Sequence, residues 1–137
     1  MSSLMCVSPI DGRYWKKTDE LYQYFSEYAL QKHRLIVEIR YFVFVLEDLL
    51  KLELDDGFLA YLEMLIINFH LDEAQIVKDL EVKGYGDIPA TNHDVKAVEY
   101  YLKLKLKGSS LEKYSEWVHF GLTSEDVTNL AYAMMLM

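Results

Sequence analysis

Apolar residues in this chain recur mainly at intervals of three and four positions, which is the spacing of one face of an α-helix. The pattern predicts long helices over about 26–52, 58–69, 73–82, 92–106 and 123–137, with a short helix after Thr18 and a helical turn over 114–120. Segment 41–46 is apolar on all sides, which is typical of a helix surrounded by other helices. Two Pro and six Gly in 137 residues favour an all-α fold over a β fold with many turns.

Polar residues at the predicted helix starts are candidates for helix caps, because their side chains can accept hydrogen bonds from unpaired backbone N–H groups. We expect caps at Thr18, Ser26, Asp72 and Asn92. Thr123 or Ser124 is expected to cap the last helix, and Asp126 stands at the position that completes a capping box with Thr123.

The helical pattern divides the chain into three parts. Residues 1–17 form an irregular arm, residues 18–122 a helical domain, and residues 123–137 the start of a further helical bundle. The last helix runs into Met134–Met137 without the Gly, Pro or basic residue that commonly closes a helix. We therefore expect this chain to be the N-terminal part of a longer protein.

Charge and cysteine content narrow the class of protein. A formal net charge of −8 argues against nucleic acid or an anionic membrane as a partner, since both require a basic surface. The single cysteine, Cys6, excludes an internal disulfide and favours a reducing compartment. The sequence lacks a signal-peptide pattern and any apolar run near the roughly 20 residues of a membrane span. We therefore expect a cytoplasmic protein.

Candidate chemistry is concentrated in two polar clusters at predicted helix starts. One is Thr91-Asn92-His93-Asp94, and the other runs from His119 through Thr123 and Ser124 to Asp126. A helix start presents free N–H groups that suit a carboxylate or phosphate, and an imidazole can transfer a proton near neutral pH. Together they could bind an anionic substrate and move a proton.

A third cluster, Arg13-Tyr14, follows Asp11-Gly12 in the N-terminal arm. Its guanidinium could pair with a phosphate through two hydrogen bonds. Composition alone favours the alternative, in which Arg13 forms an ion pair with one of the 22 acidic side chains.

Structural roles also explain the other two clusters. Helix capping accounts for Asn92, Thr123 and Ser124, and a buried histidine with a satisfied hydrogen bond accounts for His119. The four histidines lack the spacing of a metal site, and no phosphate-loop or nucleophile motif is present, so neither a metal nor a cofactor is predicted.

Four segments in the same order resemble adenylosuccinate lyase, in the bacterial-type branch of the aspartase/fumarase superfamily. They are SPIDGRY (8–14), FSEY (25–28), TNHDVKAVEY (91–100) and HFGLTSEDV (119–127). The resemblance implies the N-terminal helical domain of an aspartase/fumarase-like fold, ending where the long helical bundle begins. It also implies a homotetramer whose active sites combine three subunits, and cleavage of adenylosuccinate to AMP and fumarate and of SAICAR to AICAR and fumarate.

The resemblance also implies roles for individual residues. Arg13 and Tyr14 would bind the nucleotide; Thr123 and Ser124 would bind the succinyl carboxylates; His119 is a further candidate, near the phosphate. The site would be lined by Asn92, His93 and Asp94, with His93 positioning the substrate or assisting proton transfer. The family's catalytic serine and principal acid histidine lie downstream of these 137 residues, so the chain alone would be inactive.

Two alternatives remain open at this point. The chain could be a non-catalytic helical scaffold derived from the same superfamily, although a scaffold has no physical need for His93, Thr123, Ser124 and Arg13 together. It could also come from a sister lyase acting on argininosuccinate or aspartate. The SPIDGRY arm and the TNHD cluster favour the adenylosuccinate branch.

Overall fold

The computed structural model describes residues 3–137, so the first two residues of the predicted arm lie outside the described part. That part contains helices and loops, with an isolated antiparallel bridge between Tyr85 and Ile88 and no strand. The predicted all-α fold is therefore confirmed. Its α-helices are α1 (Trp15–Thr18), α2 (Tyr22–Phe25), α3 (Glu27–Phe44), α4 (Asp56–Ile67), α5 (Leu71–Val82), α6 (Asp94–Leu106) and α7 (Ser124–Met135). Shorter 3₁₀ segments lie at Ser3–Met5, Asp19–Leu21 and Glu112–Trp117, and a π-helical turn, Val45–Leu49, extends α3.

Helix α3 is the centre of the fold and contacts α2, α4, α5, α6 and α7. The main core includes fully buried Leu35, Phe42 and Leu102, together with Phe69, whose ring meets that of Tyr101 edge to face at 5.5 Å. Tyr101 satisfies its hydroxyl by donating to Glu73 at 2.6 Å. The core is thus formed by apolar faces that α3, α5 and α6 turn toward one another.

A second, smaller apolar cluster decides where the candidate site residues lie. It consists of Val37 of α3, Val95 in the first turn of α6 and Val127 in the first turn of α7, all buried. Because these three valines pack together, the starts of α6 and α7 lie against the same helix.

Two of the predicted caps are confirmed. The Ser26 hydroxyl accepts a hydrogen bond from the Ala29 N–H at 3.2 Å. Thr123 and Asp126 form the predicted capping box at the start of α7. Removing a cap of this kind typically costs about 1 kcal/mol.

Three predicted caps are wrong. The cap of α6 is His93 rather than Asn92, which instead has a left-handed backbone with φ of 51°. Helix α5 begins at Leu71, so Asp72 lies inside its first turn, and no side chain caps it. Thr18 is the last residue of α1; its hydroxyl faces carbonyl oxygens, including that of Trp15 at 3.2 Å, and makes no cap hydrogen bond.

The predicted limits of the helices differ most from those in the structure around α3 and before α7. The α3 helix and its π-helical turn end at Leu49, short of position 52, because Lys51 takes a left-handed backbone with φ of 55°. Segment 41–46 is not surrounded within this chain, since Phe44 is 53% exposed. The helical turn expected at 114–120 is the 3₁₀ segment Glu112–Trp117. The division at residue 123 stays a prediction.

Within residues 3–137, none of the helices combines the length and the apolar character that crossing a membrane requires.

Candidate functional site

His93 caps α6 with its imidazole. Its Nδ1 accepts a hydrogen bond from the Lys96 backbone N–H at 3.2 Å. The neutral ring therefore carries its proton on Nε2. Since the side chain is half exposed, that Nε2–H group faces solvent or a ligand. Capping and substrate contact are thus compatible roles for His93.

The neighbouring Asp94 is held by a buried cation. Its Oδ2 lies 2.7 Å from Nη1 of Arg34, and its Oδ1 accepts from the Val95 N–H at 2.9 Å. Partial burial acts to raise the pKa of Asp94, but the charge of Arg34 and the Val95 hydrogen bond outweigh it and hold that pKa below its ordinary value. Asp94 is consequently an ionised, fixed carboxylate.

Arg34 connects three helices. It projects from α3 with a side chain only 6% exposed, pairs with Asp94 of α6, and donates from Nη2 to the Thr128 hydroxyl of α7 at 3.2 Å. Its Nε–H has no hydrogen-bond partner in the described part of the chain. This one guanidinium therefore joins α3 to both of the helices that bear predicted site residues at their starts.

A cavity of about 420 Å³ opens between α3, α5 and the start of α6. Its lining combines charged and amide side chains with one leucine: Glu27, Leu30, Gln31, Arg34, Glu81, Asn92, His93 and Asp94. The buried Oε1 of Gln31 has no partner there. Three predicted site residues therefore line one polar cavity with unsatisfied groups.

His119 lies just before α7 and contacts a buried carboxylate. Its Nδ1 is 2.5 Å from Oε1 of Glu38, a residue of α3 that is fully buried. The hydrogen bond with Glu38 raises the pKa of His119 against the opposing effect of burial. The structure thus makes His119 both a satisfied, partly buried histidine and a residue readily charged near neutral pH.

We expect the stability of this chain to fall as pH rises above 6.5. The folded-state pKa of His119 is raised above its ordinary value of 6.5, so the stabilisation by Glu38 is complete below pH 6.5 and is lost as the pH rises through the higher folded-state pKa. Urea unfolding measured across this window should show the decline in the free energy of unfolding. His119→Gln should remove that part of the pH dependence; an unchanged profile would contradict the assignment.

The two hydroxyls at the start of α7 are not equivalent. Both the N–H and the hydroxyl of Thr123 bond Oδ2 of Asp126, at 2.8 and 2.9 Å. The Ser124 hydroxyl makes no hydrogen bond within residues 3–137 and is half buried. The Asp126 carboxylate folds back onto the cap. Ser124 is therefore the hydroxyl left available for a ligand.

The arm cluster lines a different cavity from His93. Arg13 and Tyr14 border a space of about 360 Å³ together with Leu4, Cys6, Val7, Ser8 and Pro9. The Arg13 guanidinium lies over the Tyr14 ring, 5.4 Å from its centre, and forms no ion pair within the described residues. The alternative ion pair of Arg13 with an acidic side chain is therefore not formed within the described residues.

Sequence reasoning missed Arg34 and Glu38. With Gln31 they are buried polar residues at spacings of three and four on α3. That row of polar residues within a largely apolar helix is the sequence pattern that could have identified Arg34 and Glu38. Groups of three or more His, Cys, Asp or Glu placed to hold a metal do not occur in residues 3–137.

No family model matches this chain. It is similar to several curated proteins named adenylosuccinate lyase. The protein from Legionella pneumophila strain Corby is 44% identical over 140 residues, that from Escherichia coli K12 40% over 140 residues, and that from Dictyostelium discoideum 38% over 143 residues. Each alignment covers 99% of this chain and 29% of the relative, so the chain spans about three tenths of their length. Along nearly its whole length the chain is therefore homologous to part of the curated proteins named adenylosuccinate lyase.

Proposed function

We propose that this chain is the N-terminal part of a lyase that cleaves adenylosuccinate to AMP and fumarate, and SAICAR to AICAR and fumarate. The observation that carries the proposal is similarity along 99% of the chain to relatives that share one name. The proposal includes a cytoplasmic homotetramer. The lyase proposal is further supported by the structure, in which two of the four segments that carry the resemblance, 91–100 and 119–127, contain helix starts packed on α3.

The reaction is a β-elimination. A base removes a proton from the carbon beside a carboxylate of the succinyl group, the C–N bond breaks, and a carbon–carbon double bond forms. The developing negative charge spreads into that carboxylate, so hydrogen-bond donors fixed around it lower the barrier. An acid then protonates the departing nitrogen.

The charged and polar groups of this chain suit the binding part of that reaction. We assign the succinyl carboxylates to Ser124 and the start of α7, with Thr123 contributing if its contact with Asp126 opens on binding. His93 presents Nε2 to the substrate beside Asn92 and the fixed carboxylate of Asp94. Arg13 and Tyr14 would bring the nucleotide contact from the arm.

We expect the 137-residue chain by itself to release no fumarate from adenylosuccinate. The resemblance places the base, a serine, and the principal acid, a histidine, outside these residues, and this chain spans 29% of its relatives' length. The measurement is fumarate formation, followed by absorbance with the purified chain. Turnover that scales with chain concentration and survives repurification would contradict this.

The activity itself is tested with the full-length protein that contains this chain. Adenylosuccinate, SAICAR, argininosuccinate and aspartate are offered separately and fumarate release is measured. Cleavage of the first two supports the proposal. Cleavage of only argininosuccinate or aspartate would assign the protein to a sister lyase, and cleavage of none would favour a scaffold.

A further inference from the structure

Glu38 is fully buried, yet none of the roles proposed above uses it. Its Oε1 contacts Nδ1 of His119, whereas its Oε2 has no hydrogen-bond partner in the described structure. Burying a carboxylate is costly unless it is paired. A protonated His119 supplies the missing charge, so the two groups stabilise each other.

The backbone also holds His119 in place. Its φ of 62° lies in the left-handed region, which is sparsely populated by residues other than glycine. The Tyr41 hydroxyl of α3 donates to the Phe120 carbonyl at 3.0 Å, and the Leu122 N–H donates to the His119 carbonyl at 3.2 Å. With Nδ1 bound to Glu38, the imidazole has only Nε2–H to offer to a ligand.

Charged groups from three helices act on this imidazole. Glu38 comes from α3, Lys96 and Glu99 from α6, and Asp126 from α7. Glu99 is itself paired with Lys96 and Lys103, each at 3.1 Å, and Asp126 is bonded to the Thr123 cap. Glu38 is therefore the carboxylate that contacts His119 directly, and the hydrogen bond between them raises the pKa of His119.

We propose that Glu38 is a positioning residue that holds His119 as an oriented imidazolium, whose Nε2–H binds an anionic group of the substrate at the start of α7. The inference rests on the proposed function, because the anion is a carboxylate or phosphate of the lyase substrate. Glu38 acts through His119 and does not touch the substrate.

The first experiment is an NMR titration of the histidines in the 137-residue chain, with His119 assigned by comparison with His119→Gln. Glu38→Gln keeps the size of the side chain but removes its charge, so the pKa of His119 should fall by about one unit or more. Glu99→Gln is the matched control, a buried carboxylate without a hydrogen bond to His119, and should lower that pKa less. An equal response to both variants, or no response to Glu38→Gln, would overturn the pairing.

The second experiment uses the full-length protein. If Glu38→Gln lets His119 lose its proton at a lower pH, the alkaline limb of the pH profile of kcat/KM should shift to lower pH by the amount that NMR reports. KM should rise by a larger factor than kcat falls. Inhibition of Glu38→Gln by AMP and by fumarate distinguishes the two anions. Inhibition by AMP that is weaker by about tenfold than in the unchanged protein indicates that His119 binds the phosphate, and an equal weakening for fumarate indicates that it binds a carboxylate. Unchanged inhibition by both would overturn the anion-binding role.

A double-mutant comparison covers the case in which Glu38→Gln perturbs folding. If Glu38 acts only through His119, the loss in kcat/KM caused by Glu38→Gln should disappear in a His119→Gln background. Additive losses would overturn the proposal and make Glu38 a structural residue. An inactive wild-type protein would instead count against the lyase assignment, while the NMR result would still stand for the pairing itself.

Discussion

Replacing Ser124 by alanine in the full-length protein should lower kcat/KM for adenylosuccinate by about 10²–10³-fold. Its hydroxyl stands at the first residue of α7, is half buried and has no hydrogen bond within the described chain. A donor fixed where charge develops typically contributes a factor of that size. The measurement is steady-state kinetics of fumarate release from adenylosuccinate.

Ser110 provides the matched control for this variant. It is an exposed serine that forms no hydrogen bond within residues 3–137, and it lies in the loop between α6 and the following 3₁₀ segment. Ser110→Ala should leave the rate unchanged. Because the Ser124 hydroxyl makes no hydrogen bond within residues 3–137, Ser124→Ala should also change stability by no more than about 0.5 kcal/mol. A near-normal rate for Ser124→Ala would remove Ser124 from the substrate site.

Arg34→Ala should destabilise the 137-residue chain by about 3 kcal/mol. Arg34 is buried, pairs with Asp94 at 2.7 Å and donates to Thr128 at 3.2 Å, so its loss removes these polar contacts of α3 with α6 and α7. Removing one partner of a buried pair typically costs about 3–5 kcal/mol. We choose the lower end because Asp94 is half exposed and can regain water. Urea denaturation measures the change.

Arg40 is the control on the same helix. It pairs with Glu63, but both side chains are exposed, at 61% and 41%. An ion pair in that setting contributes at most about 1 kcal/mol, so Arg40→Ala should have a small effect. Arg34→Lys should not restore stability, since an ammonium cannot reproduce the two directed contacts of the guanidinium. Equal losses of stability for Arg34→Ala and Arg40→Ala would show that burial does not make the Arg34–Asp94 pair contribute more than the Arg40–Glu63 pair.

The helices of this fold could be predicted because their signal is local. The apolar spacing that gives α4, α5 and α6 is present within each segment, and the Ser26 and Thr123 caps depend on residues three positions apart. These interactions form within a few residues of chain, so the sequence of each segment contains them.

The cap of α6 shows where local reasoning fails. Asn92 and His93 are adjacent polar residues, and residue type alone favours Asn92 as the cap. The choice depends on α5: the Asn92 N–H donates to the Glu81 carbonyl and the Thr91 N–H to the Leu80 carbonyl, both at 2.9 Å. Those bonds hold Asn92 in the left-handed conformation, so α6 starts one residue later and His93 becomes the cap.

The sequence by itself determined the all-α class, the order and approximate limits of most helices, and the polar segments at the starts of α6 and α7. Only the tertiary structure decided that these starts lie together, and that Arg34 and Glu38 reach them from α3. The physical reason is distance along the chain. A polar residue in a helix has the same local signal whether it faces water or a buried partner, and its partner here is supplied by residues some 60 to 94 positions away.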